Sequence, residues 1–135
     1  MVEAEGIPPT ASVASAGQSI LYLGDYAWCY TGGIGVINSA TTVLETQSAE
    51  GILVAEVLLN YIFVGANDQM EWQVYLNDIL IAGAKDSGPA VYTEFNNPIK
   101  LILPPFTKLK VTAKNASSAT SRAMGVILTG RVYDV

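Results

Sequence analysis

Histidine is absent from the 135-residue chain, and cysteine occurs once. The first absence removes the commonest general base and the commonest metal ligand, and with them every Ser-His or Cys-His arrangement. The second rules out a disulfide within the chain and a cysteine-based zinc site. Cys29, between Trp28 and Tyr30, reads as a small buried hydrophobe rather than a nucleophile. Charge is scarce too. Only 14% of residues are charged, against about 25% in an ordinary soluble domain, so part of the outer surface is either unusually neutral or covered by another subunit. No base precedes Lys85: residues 1–84 carry nine acids, and residues 85–135 carry seven bases and three acids, which together give the net −5. Edges of opposite sign of this kind can orient neighbouring subunits. A chain of pI near 4.5 lacks the basic footprint of a nucleic-acid binder.

Long hydrophobic runs are missing as well. The most apolar stretch, Ile52 to Ala66, is interrupted by Glu56 and Asn60 and is too short for a spanning helix. The opening Met1-Val2-Glu3-Ala4-Glu5 has neither the basic nor the apolar part of a secretory leader. The expectation is a chain made in a reducing cytoplasm, with no membrane, metal or cofactor among its partners. Asn115-Ala116-Ser117 fits the glycosylation pattern but has no meaning in that setting.

What is present is alternation. Residues 1–18 hold Pro8-Pro9 among Ala, Ser and Gly, which forbids helix and reads as an extended or flexible arm outside the core. From Ser19 to residue 135 the pattern has period two and reads as one domain. In Met70-Glu71-Trp72-Gln73-Val74-Tyr75-Leu76, the residues Met70, Trp72, Val74 and Leu76 share one face. Asn77-Asp78 follows, then Ile79-Leu80-Ile81-Ala82, and both turn residues tolerate positive φ, so a two-residue hairpin is expected. Lys108, Lys110, Thr112 and Lys114 alternate with Leu109, Val111 and Ala113, giving a wet face and a core face. Further strands are expected near Ser19–Leu23, Tyr26–Thr31, Thr41–Gln47, Ile99–Leu103 and Ala123–Tyr133, with Pro104-Pro105 ending one of them. About eight short strands with Gly, Pro and Asn punctuation make an all-β sandwich or barrel.

The strand expected over Ile52–Val64 is apolar on both faces. Leu53, Ala55, Val57, Leu59, Tyr61 and Phe63 form one; Ile52, Val54, Leu58, Ile62 and Val64 dominate the other, with Glu56 and Asn60. A solvated outer face is normally more polar, so the second face is either covered by a loop of its own chain or a candidate contact with another subunit, and the arm bearing Pro8 and Pro9 is a second candidate. Paired carboxylates could in principle serve hydrolysis, and Glu45 and Glu56 lie on strands that could be neighbours, but nothing in their spacing marks a pocket, and catalysis is not expected. Asn67, Asp68 and Glu71 match no calcium loop and read as an acidic turn. Tyr26, Trp28 and Tyr30 fall at alternate positions. Such a strip is either packing or, if exposed, a platform for stacking sugar rings.

Several phrases occur together in order: Gly24-Asp25-Tyr26-Ala27 with Tyr30-Thr31-Gly32, Thr41-Thr42-Val43-Leu44-Glu45, Tyr75-Leu76-Asn77, the run from Ile99 to Val111, and Gly125 to Tyr133. Over most of residues 20–133 the chain resembles the small virion proteins of tailed bacteriophages, single jelly rolls that decorate or cement the head. The resemblance implies a two-sheet antiparallel sandwich with jelly-roll topology, a homo-oligomer (dimer or trimer) and attachment across seams between subunits of the major capsid protein. It also implies a place on the capsid surface of a virion assembled in the host cytoplasm, and no catalytic residues. The alternative is a carbohydrate-binding or receptor-binding β-sandwich module of a spike, head fibre or tail.

Overall fold

The computed structural model describes residues 19–61, 69–87, 98–116 and 122–133. The extended or flexible arm expected over residues 1–18 lies outside them. Ten strands and no helix occur among the described residues: β1 (Leu21–Leu23), β2 (Tyr26–Tyr30), β3 (Ile34–Val36), β4 (Thr41–Gln47), β5 (Ile52–Tyr61), β6 (Gln69–Leu76), β7 (Ile79–Ser87), β8 (Ile99–Leu103), β9 (Lys108–Asn115) and β10 (Arg122–Tyr133). They form two antiparallel sheets. The first runs β1-β2-β10-β5-β8, with β3 also paired to β10; the second runs β4-β9-β6-β7. Leaving aside the three-residue strands β1 and β3, four strands face four in the connectivity of a jelly roll. Those two short strands account for the excess over the expected eight.

Alternation along each strand sends one set of side chains between the sheets. Leu53, Ala55, Val57 and Leu59 from β5 meet Val126 and Leu128 from β10; Met70, Trp72 and Val74 from β6 meet Leu109 and Val111 from β9; all are buried. Leu76 is only half-buried, because β6 ends there and turns into the hairpin. Asn77 and Asp78 both have positive φ, 49° and 68°, the geometry of the two-residue turn that matches strand twist. Trp72 pairs with Ala113, whereas Lys110 pairs with Tyr75, so Trp72 and Lys110 lie on opposite sides of the second sheet.

Three irregularities shape the sandwich. A bulge in β4 between Thr42 and Leu44 turns Val43 and Leu44 both into the core, where each is fully buried. A second bulge, opposite Val74 and Tyr75, leaves Ile79, Leu80 and Ile81 exposed on the edge strand β7. At the third, the chain kinks between β2 and β3. The Thr31 amide donates to the Val126 carbonyl (3.1 Å), and the Val126 amide donates back to Thr31 Oγ1 (2.9 Å). Gly125 sits directly beneath this kink, and a Cβ there would lie 2.2 Å from the Gly32 carbonyl oxygen. Only glycine permits so close an approach. At one end of the sandwich the buried Ser48 ties two loops together, its hydroxyl donating to the Pro104 carbonyl (2.7 Å) and accepting from the Thr107 amide (2.8 Å).

Candidate functional site

The two outer faces of the sandwich differ in kind. That of the second sheet is polar over β4, β9 and β6, with Leu80 exposed beside Tyr75 on the edge strand β7. Lys108, Lys110, Thr112 and Lys114 on β9 stand between Thr42, Glu45 and Gln47 on β4 and Glu71, Gln73 and Tyr75 on β6. Lys108 reaches Asp78 (2.9 Å) and Glu45 (3.8 Å), Lys114 reaches Glu71 (3.8 Å), and Lys110 stands over the Tyr75 ring, 4.8 Å from its centroid. The hydrogen bond from Lys108 holds the Asp78 carboxyl below its ordinary range. This is an ordinary solvated face.

The outer face of the first sheet is apolar, and the strand register lays it out in cross-strand rows. One row reads Leu23, Tyr26, Arg131, Val54, Ile102; the next reads Leu21, Trp28, Thr129, Glu56, Lys100. Tyr30, Ile127 and Leu58 extend it at one end, and Tyr133 and Ile52 at the other. Leu23 is 71% exposed, Tyr26 56%, Tyr30 58%, Ile102 64% and Tyr133 52%. The polar groups gather near the middle. Glu56, Lys100, Thr129 and Arg131 line a shallow depression with Val54 and Tyr133. Arg131 Nη2 donates to Asp25 Oδ2 at 2.6 Å, and its guanidinium lies over the Tyr26 ring, 4.9 Å from the centroid. The hydrogen bond from Arg131 is the main cause that lowers the Asp25 pKa; desolvation opposes it, and the positive charge of Arg131 adds to the lowering.

Each sequence-derived residue now has a place. Ile52, Val54 and Leu58 point outward on β5: Val54 is exposed, the other two half-buried. Ile62, Val64, Pro8 and Pro9 lie outside the described residues, as do Asn67 and Asp68. Tyr26, Trp28 and Tyr30 point outward on β2, with Trp28 half-buried; packing within the core does not explain them, because Ala27 and Cys29 face inward instead. Burial pushes the Cys29 thiol up to about 11. Glu45 and Glu56 are not neighbours: they lie in different sheets and point out of opposite faces. Asn115 is fully buried and accepts from the Gln69 amide (3.3 Å), so its side chain is structural. The contributions of β1, β8 and β10 to the face escaped the sequence reading. A partial signal for β10 existed: Ile127 and Tyr133, with Thr129 and Arg131 between them, alternate with Val126, Leu128 and Val132, so that strand carries apolar residues on both sides.

No family model matches the chain, and no curated protein matches it. Among solved structures the chain is similar to a beta-glucosidase from Paenibacillus barengoltzii, with a TM-score of 0.40 and 14% identity over 92% of this chain and 12% of that one. A likeness of that size says nothing about activity.

Proposed function

We propose that the chain is a structural assembly protein, an auxiliary capsid component of the cement or decoration type. It sits on the surface of a phage head, which it stabilises by self-association and by binding at seams between subunits of the major capsid protein. The observation that carries this reading is the asymmetry of the sandwich: one outer face is salted with Lys, Glu, Thr and Gln across β4, β9 and β6, while the other sets Leu, Tyr, Trp, Ile and Val around a small polar centre of Glu56, Lys100, Thr129 and Arg131. Exposed apolar side chains in this number around a few polar groups mark a protein contact. Attachment by area rather than by chemistry also suits a chain with so few charges. The test is electron microscopy of native particles carrying the chain. The expected result is a jelly roll on the outer capsid with the β1-β2-β10-β5-β8 face against protein. A chain missing from the particle, or bound with that face bare, refutes the proposal.

The second reading, a carbohydrate-binding module, draws on the outward strip of Tyr26, Trp28 and Tyr30. Its weakness is geometric: Arg131 covers one face of the Tyr26 ring and Trp28 is half-buried, so the three rings do not form one open strip. Binding of the isolated protein on a glycan array, lost in Trp28→Ala with the fold intact, would establish this second reading in place of the first.

A further inference from the structure

Building on the reading of the first sheet's outer face as an assembly surface, we infer that its occupant is a second copy of the same chain, packed face to face about a two-fold axis. Charge is the first argument. The chain as a whole carries −5, so two copies brought together at random repel each other. On this face the charges cancel: Glu56 lies beside Lys100 across the β5–β8 pair, and Arg131 is bonded to Asp25. A surface that holds acid and base in equal number is one that a copy of itself can meet without repulsion.

Size is the second argument. The five strands β1, β2, β10, β5 and β8 hold 3, 5, 12, 10 and 5 residues, and at about 3.3 Å per residue and about 4.8 Å between strands they cover roughly 550 Å² per copy. A standard stable interface buries about 800 Å² per partner, so the face supplies roughly two thirds of one.

Symmetry then fixes which groups meet. In a two-fold contact every pairing occurs twice, and two sheets packed face to face keep their strands within about 30° of one another. Glu56 is the one acidic side chain in the rows near the centre of the face, and although Lys100 stands beside it, seating its carboxylate on leucine or isoleucine of the second copy would strip water from it with no new partner in return. An axis running along the strands between β5 and β10 avoids this. It sets β5 of one copy over β10 of the other, so that Glu56 meets Thr129 and Arg131 of the second copy. The same axis sets β8 over β2, bringing Ile102 to Tyr26 and Lys100 to the face of Trp28, a favourable cation–π arrangement.

The test is sedimentation equilibrium on the full chain, with two charge-reversed variants studied alone and mixed. The wild type is expected to be a dimer. Glu56→Arg places like charges opposite each other at both copies of the contact, as does Arg131→Glu, so each variant alone should dimerise about 100-fold more weakly. Mixed in equal amounts the two should pair with each other at close to wild-type affinity, because both contacts again join acid to base. A folding defect cannot produce that rescue. A wild type that is monomeric at high concentration, variants that dimerise like the wild type, or a mixture that stays monomeric would each overturn the inference. Particles that carry single copies bound to capsid protein through this face would overturn it too, while leaving the proposed function standing.

Discussion

Substituting Gly125 by alanine tests the fold where its tolerance is smallest. The new Cβ would stand 2.2 Å from the Gly32 carbonyl oxygen, 2.9 Å from Thr31 Oγ1 and 3.1 Å from the Gly32 carbonyl carbon. Two of these are backbone atoms and the third belongs to a short side chain, so no flexible group can swing away. Restoring ordinary contact requires the β2–β3 kink to lift by about 1 Å. That movement breaks the reciprocal hydrogen bonds between Thr31 and Val126, at 3.1 and 2.9 Å. Each buried group left without its partner costs about 1–3 kcal/mol, so the substitution should destabilise by about 3–5 kcal/mol, a large part of the ~5–15 kcal/mol that holds a domain folded. Gly83→Ala is the control. Its Cβ meets only the Trp72 carbonyl oxygen, at 3.4 Å, so it should change stability by less than about 1 kcal/mol. Urea denaturation at one fixed protein concentration measures both. With a slope of about 1–3 kcal/mol per molar, the midpoints should differ by roughly 2 M. Midpoints that agree closely would refute the account of the kink.

Cys29 should be inert to thiol reagents at pH 8 in the native protein and should react fully in denaturant, because burial keeps it protonated; rapid native labelling would contradict its inward placement. Asp25 and Asp78 both have folded pKa values below the ordinary 3.8, chiefly through hydrogen bonds from Arg131 and Lys108 respectively. Their contribution to stability is therefore present above about pH 4 and is lost as pH falls through the lowered values. The stability lost between pH 5 and 2 should be smaller in the double variant Asp25→Asn, Asp78→Asn, measured by thermal melts, and an unchanged acid dependence would remove these two carboxylates from the account.

Local pattern carried much of the fold. The alternation of Met70, Trp72 and Val74 and of Leu109, Val111 and Ala113 placed those side chains in the core, where all are buried. Asn77-Asp78 signalled its turn because few other residues accept positive φ at two successive positions. What stayed hidden depends on neighbours distant in sequence. Nothing in Thr41–Gln47 announces that a bulge sends both Val43 and Leu44 inward. The strand Ile34–Val36 is only three residues long and exists because β10 runs on past the kink to pair with it. Part of the candidate face was legible in Ile52, Val54 and Leu58, since β5 is apolar on both sides. Its full extent was not, because which strands lie beside β5 is set by sheet order, and Leu23, Ile102 and Tyr133 look like ordinary strand residues until the register brings them into one surface.

The central claim is that the outer face of the first sheet is covered in the working assembly, and tryptophan fluorescence tests it most directly. The chain has two tryptophans. Trp72 is already buried in the single chain and should contribute a constant signal, whereas Trp28 stands half-buried on the face in question. Quenching by acrylamide, followed as the protein is concentrated from nanomolar to high micromolar, should lose its accessible component as copies associate, and the emission should shift to the blue. Quenching that stays the same across that range, in protein that sedimentation shows to be associated, would place the contact elsewhere and contradict the claim.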